Sequence, residues 1–336
     1  MKIYLGRMLN LLLIKFKIIK MKVGLIINGR ECGDWKSFYV KNGRAYLFSN
    51  DKKYNGPNLQ ESIDNLIFRN IWNRAFMFDG CFINSNEGLI DIDLDAIFLV
   101  CENESNPKSF VNRIREKYKN AIVMGATKET IPHLSSSSVT SIKDFLNQCD
   151  KVVTHYNEEM CNNLSNRLNM KVYSLPFPYK IDQIRDKFKI GNKEKLLLAG
   201  TASWDKDRGY DECLKFTKYL GNKYGYEVVE NKDDKTWKEW LQLINKVSVV
   251  VNMDKQHRFG QVTIESLILG TNHIGGISDT SLSFTPELST NDPTKLENHF
   301  IKIINGGVDG DRFYSKLIER HGFDNVNNKL IDIIND

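Results

Sequence analysis

Three stretches of the chain bring together residue types that can hold an anionic or hydroxyl-rich ligand. The most informative is His257-Arg258-Phe259-Gly260-Gln261-Val262-Thr263-Ile264-Glu265, which follows a Val-rich run at 247–252 and opens an apolar helical stretch that ends at Gly270. A glycine at the mouth of a helix lets backbone N–H groups and the positive end of the helix dipole approach an anion. Glu265 lies a turn and a half further on, where a carboxylate could accept two ribose hydroxyl protons. Taken alone, a glutamate at that position reads as a surface residue. The second stretch runs from Gly200 to Gly209. Gly200 and Thr201 permit close backbone approach, hydroxyls can bond ligand oxygens, and Lys206 and Arg208 would neutralise a diphosphate. No Gly-Lys-Ser/Thr closes it, so it is not a P-loop. The third is Asn28-Gly29-Arg30-Glu31-Cys32-Gly33. There Gly29 could bring backbone donors to a substrate oxygen, but the spacing is not that of a dinucleotide fingerprint.

These stretches need strands behind them, and the apolar pattern supplies them. Nearly continuous Val/Ile/Phe runs at 21–27, 81–84, 95–101, 121–125, 151–154 and 171–175 predict buried parallel strands. Residues 38–48 alternate about Asn42-Gly43 and predict a β-hairpin. Helices are predicted from the capping-box-like Asn58-Leu59-Gln60-Glu61 and after Asn157, where Met160, Leu164 and Leu168 recur at four-residue spacing. Pro176-Phe177-Pro178 then marks a linker, and the charged stretch 180–195 has room for a short helix. Strand and helix patterns resume: strands at 195–199, 226–230, 247–252 and near 273–274, helices at 211–224 and from about Gln261. Thr236-Trp237-Lys238-Glu239 is a capping box with Trp237, Trp240, Leu241 and Ile244 on one face. The whole reads as α/β, two Rossmann-like domains facing a cleft.

Composition is that of a globular protein: 336 residues, 41% hydrophobic and 26% charged, a length suited to two domains. The net charge of +5 equals the five cations of the first twenty residues, Lys2, Arg7, Lys15, Lys17 and Lys20. A neutral body lacks the electrostatic footprint of a general nucleic-acid binder. Segment 1–20 is too short and too charged to span a bilayer, and reads as a leader or as a basic segment making peripheral membrane contact. The six cysteines are scattered, with no CxxC and no zinc-ligand spacing; they read as reduced thiols of a cytoplasmic protein, and no metal site is visible.

The run His257-x-Phe-Gly-x4-Glu265, with Gly270 following, resembles the Glu-x-Phe-Gly-x4-Glu signature of retaining, group 1 (family 4-like) glycosyltransferases of the GT-B fold. The order of elements from Met21 onward agrees, and Thr154–Met160 is similar to a helix start late in the first domain of such enzymes. The resemblance implies an acceptor domain at 21–178, a nucleotide-sugar domain at 179–310 and C-terminal helices at 311–336 packing back on the first domain. It implies that Glu265 holds the donor ribose, that Phe259 and Gly260 approach the donor sugar and phosphates, and that Arg208 clamps the diphosphate. Thr201 takes the place of a second diphosphate-binding arginine, for which Lys206 would compensate. His257 takes the place of the glutamate that meets the transferred sugar, and would donate hydrogen bonds instead. Lys128, Glu129 and His133 are the nearest candidates for acceptor contacts. No cofactor or metal is implied; the partners are a nucleotide-sugar donor and an acceptor that is a glycan, lipid, protein or modified DNA. A non-catalytic protein of the same fold, and a phage-type transferase acting on DNA bases, are the alternatives.

Overall fold

The computed structural model describes residues 22–28, 36–41, 44–54, 80–101, 107–126, 142–179, 181–201, 208–232, 235–255, 259–306 and 313–336. The basic segment 1–20, the helix expected after Asn58, and Gly29, Lys128, Glu129, His133, Lys206 and His257 lie outside the described residues.

Two sheets form among the described residues. The first has the order β3-β2-β4-β1-β5-β6-β7-β8. Its strands are β1 (Val23–Asn28), β2 (Phe38–Lys41), β3 (Arg44–Leu47), β4 (Cys81–Asn84), β5 (Ala96–Cys101), β6 (Ile122–Ala126), β7 (Lys151–Thr154) and β8 (Val172–Ser174). From β4 to β8 every pairing is parallel, while β2 and β3 add an antiparallel hairpin at one edge. Lys41 pairs with Arg44, the register that a two-residue Asn-Gly connection imposes. The second sheet, β10-β9-β11-β12, is wholly parallel: β9 (Glu194–Ala199), β10 (Glu227–Glu230), β11 (Val247–Asn252) and β12 (Asn272–Gly275).

Helices α1 (Pro107–Lys117) and α2 (Glu158–Leu168) belong to the first half. The second carries α3 (Ile181–Lys187), α4 (Tyr210–Tyr224), α5 (Trp237–Lys246), α6 (Gln261–Ile268), α7 (Asp279–Phe284) and α8 (Pro293–Ile304), and α9 (Tyr314–His321) and α10 (Phe323–Asn335) end the chain. The caps are local chemistry. Asn157 accepts from the Met160 N–H at the start of α2, and Thr236 and Glu239 satisfy each other's backbone at the start of α5.

The proline-marked segment is not an exposed linker. Ser174 through Tyr179 are all buried, although connections between domains ordinarily run over the surface. Phe177 stacks on His155 at 4.8 Å and meets Phe259 edge-on at 4.9 Å, so residues from both halves share one aromatic cluster. His155, expected to start a helix, contributes a ring to it. One contiguous apolar core therefore runs from Val23 and Phe98 in the first sheet, through Leu175, Phe177 and Tyr179, to Leu198 and Val250 in the second. The chain end fastens the same region. The Tyr179 N–H donates to the His321 carbonyl, His321 Nδ1 donates to the Phe177 carbonyl, and Asp336 accepts from Lys171 and Tyr173.

His321 and His273 are fully buried, and burial pushes both imidazoles down to about 3. Unfolded, each takes up a proton near pH 6.5, so between about 3 and 6.5 the unfolded chain binds protons that the folded chain refuses. Stability is then complete above pH 6.5 and falls as the pH drops below it. From pH 7.5 to 5.5 the two histidines together should cost about 3 kcal/mol. Urea titrations at the two pH values measure this, and the double variant His273→Gln/His321→Gln should flatten the slope. Cys81 and Cys161 behave as buried thiols, both pushed up to about 12, chiefly by desolvation.

Candidate functional site

Parallel strands deliver their carboxyl ends to one edge of a sheet, and in the second half those ends carry the polar residues. At the end of β9, the Gly200 N–H donates to the Val251 carbonyl while the Gly200 carbonyl accepts from Asn231 Nδ2. Thr201, almost wholly buried, donates through Oγ1 to Asn252 Oδ1 at 2.9 Å and accepts from the Met253 N–H at 3.1 Å. Its hydroxyl is thereby committed to fixing the turn after β11. Asn252 Oδ1 also accepts from the Asp254 N–H, and Asn291 bridges the Asp254 carbonyl and the Gly276 N–H. The edges of β9, β11 and β12 are thus laced into one rigid rim. Gly275 (φ +85°) is required there, because a Cβ would collide with the Asn252 carbonyl.

Arg208 reaches this rim from the start of α4. Its Nε donates to Asp254 Oδ2 at 2.7 Å, and Nη2 bonds the same oxygen. Asp254, 6% exposed, escaped the sequence reading, although its place directly after a strand was the available signal. The consequence is electrostatic. Arg208 is held in one orientation in advance, and any anion meeting it competes with a fixed carboxylate.

The tip of α6 lies beside Gly200: a Cβ on that glycine would sit 3.3 Å from Val262 Cγ1. Gly260, at φ +86°, is the N-cap, and a Cβ there would collide with Ser278 Oγ. Phe259 is buried in the aromatic cluster, and its carbonyl accepts from both the N–H and Oγ1 of Thr280. Gly260, Gln261 and Val262 are half-buried, whereas Thr263 through Leu269 are fully buried. A ligand can therefore touch α6 only over its first turn.

Glu265 is a buried residue, 1% exposed, contrary to the surface position that a glutamate suggests on its own. Oε1 accepts from Trp237 Nε1 at 2.6 Å and from Gln261 Nε2 at 2.8 Å, and Oε2 accepts from Trp240 Nε1 at 2.7 Å. A buried acid is tolerable where donors converge on it, and two indole N–H groups from α5 plus the amide one turn earlier provide them. The sequence puts both tryptophans on one face of α5 but does not reveal their partner. Their indoles were the missed clue, since a buried Trp N–H requires an acceptor.

Of the residues singled out from sequence, Gly200, Thr201, Arg208, Phe259, Gly260 and Glu265 fall within this one region of the second half. The signature's first position, His257, and Lys206 fall outside the described residues. Among the described residues no helix is long and apolar enough to cross a membrane.

No family model matches the sequence, and no curated protein matches it. Solved structures do. Sucrose-phosphate synthase from Thermosynechococcus elongatus aligns over 94% of this chain and 98% of its own at 10% identity, with a TM-score of 0.56. An alpha-glucosyltransferase solved with UDP and a 13-mer DNA containing a HMU base aligns over 94% and 100% at 11% identity, with a TM-score of 0.53. A variant of S. aureus TarM in complex with UDP aligns over 88% of this chain at 14% identity and a TM-score of 0.54, and this chain spans 62% of that one. At such identities the likeness speaks to architecture alone. Two parallel-rich sheets joined through a buried aromatic core, matched over most of the chain by nucleotide-sugar glycosyltransferase structures, give this protein the GT-B fold.

Proposed function

We propose that this protein transfers a glycosyl group from a nucleoside-diphosphate sugar to an acceptor, with retention of anomeric configuration. The observation that carries the reading is the convergence of Gly200, Thr201, the Arg208–Asp254 pair and the α6 tip at the carboxyl edge of one parallel sheet. In this reading Arg208, with Lys206 and the helix N-terminus at Gly260, stabilises the departing diphosphate. The effect is electrostatic and preorganised, because Asp254 orients Arg208 before the ligand arrives. Thr201 acts by holding the rim. Phe259 supports the donor pocket from below, Glu265 marks its ribose end, and His257 donates hydrogen bonds to the transferred sugar. Gly29, Lys128, Glu129 and His133 would belong to the acceptor side. The chemistry asks for no metal.

Calorimetry with UDP, GDP, ADP and TDP tests this. At least one should bind the unmutated protein, and Arg208→Ala should weaken it by about 1.5–3 kcal/mol, the value of a charge-assisted hydrogen bond. Binding by none of the four would refute the reading. Release or transfer of sugar from the matching donor separates an enzyme from a binding protein of the same fold. The modified-DNA acceptor has its counterpart in the alpha-glucosyltransferase complex, and a gel shift on HMU-containing DNA at physiological salt is its test.

A further inference from the structure

The buried carboxyl of Glu265 raises a question about what a donor touches. Three of its roughly four acceptor positions are taken by Trp237, Trp240 and Gln261, and the residue is 1% exposed. A vicinal diol reaching it would have to displace an indole or the Gln261 amide. Gln261 stands between Glu265 and the outside: it is the first residue of α6, it is half-buried, and one of its amide N–H groups is spent on Glu265. That bond restrains the amide. The second N–H and the carbonyl remain as one donor and one acceptor on a held side chain, which is what two adjacent hydroxyls need.

We propose that Gln261, oriented by the Trp237–Trp240–Glu265 clamp, is the residue that reads a vicinal diol of the donor. Glu265 is then a positioning residue, acting through Gln261. The proposal rests on the donor-binding reading above and sharpens it. The spare donor and acceptor of Gln261 suit a neutral polyol, and an acid accepting three N–H donors lies one hydrogen bond behind the amide. The diol belongs either to the ribose or to the transferred sugar, and the experiment separates the two.

Wild type and Gln261→Leu are titrated calorimetrically with UDP, GDP, ADP and TDP, and with the corresponding glucose-linked donors. Leucine retains helix propensity and volume at a half-exposed first-turn position, and equal melting temperatures check the fold. Loss of one or two hydrogen bonds should weaken binding roughly 3- to 10-fold. A loss seen with the free ribonucleoside diphosphate assigns the ribose, and its absence with TDP, which lacks the 2′-hydroxyl, supports that assignment. A loss seen only with the glucose-linked donor assigns the sugar. Equal affinity of the two proteins for every ligand overturns the role of Gln261 while leaving the transferase reading standing. If wild type binds none of the ligands, both fall.

Discussion

Glu265→Ala should destabilise the protein by roughly 2–4 kcal/mol, more than a surface glutamate could ever cost. The reason lies in what the substitution leaves behind. Trp237 and Trp240 are 8% and 6% exposed, and their indole N–H groups would lose their acceptor without gaining water. An orphaned buried donor costs about 1–3 kcal/mol, and two are orphaned at once. The carboxyl is itself costly to bury, which offsets part of the loss and keeps the estimate below the simple sum. Glu265→Gln should fall between, because an amide presents one acceptor to one indole and its own N–H groups to the other. Urea denaturation with tryptophan fluorescence reads both variants. If Glu265→Ala unfolds at the wild-type urea concentration, the clamp does not carry stability.

The parts of the fold that could be read from sequence share one property: their determinants are local. The runs at 81–84, 151–154 and 247–252 became strands with those bounds, because unbroken β-branched and aromatic residues suit a strand covered on both faces. The Asn157 and Thr236 caps and the 38–48 hairpin need only residues within four to ten positions. The site was half readable for the same reason. A glycine before an apolar helix announces a helix start, and Gly260 is the N-cap of α6. What escaped involves partners far apart in the chain. Trp237 and Glu265 are separated by 28 residues and Arg208 and Asp254 by 46. No periodicity in a single sequence links them. The burial of Glu265 escaped because α6 is enclosed from Thr263 onward, so its polar residues face protein instead of solvent. Pro176 and Pro178 correctly end a strand, but whether such a segment is exposed depends on what packs over it, here Phe259 and His321.

Asp279 should prove the most sensitive position at the junction of the two halves. Its side chain is 1% exposed. Oδ1 accepts at 2.8 Å from the backbone N–H of Asn157, which caps α2 in the first half, and Oδ2 accepts at 2.9 Å from Arg320 Nη2 on α9. One carboxylate thus joins three segments that are 122 and 41 residues apart in the chain. Asp279→Ala leaves a largely buried guanidinium and a part-buried amide unanswered, and breaking such a pair costs about 3–5 kcal/mol. Asp279→Asn keeps an acceptor for Asn157 and should cost less. Removing Arg320 in the Asp279→Ala background should add little, since the charge left stranded by the first change goes with it, and a double-mutant cycle measures that coupling. The effect should also reach the candidate donor site. The next residue, Thr280, holds the Phe259 carbonyl through both its N–H and hydroxyl, and Ser278 packs against Gly260, so loosening α7 frees the tip of α6. Nucleotide affinity and stability should therefore fall together in Asp279→Ala and recover together in Asp279→Asn. A variant that lost stability but bound nucleotide as wild type would show that the junction and the α6 tip are independent.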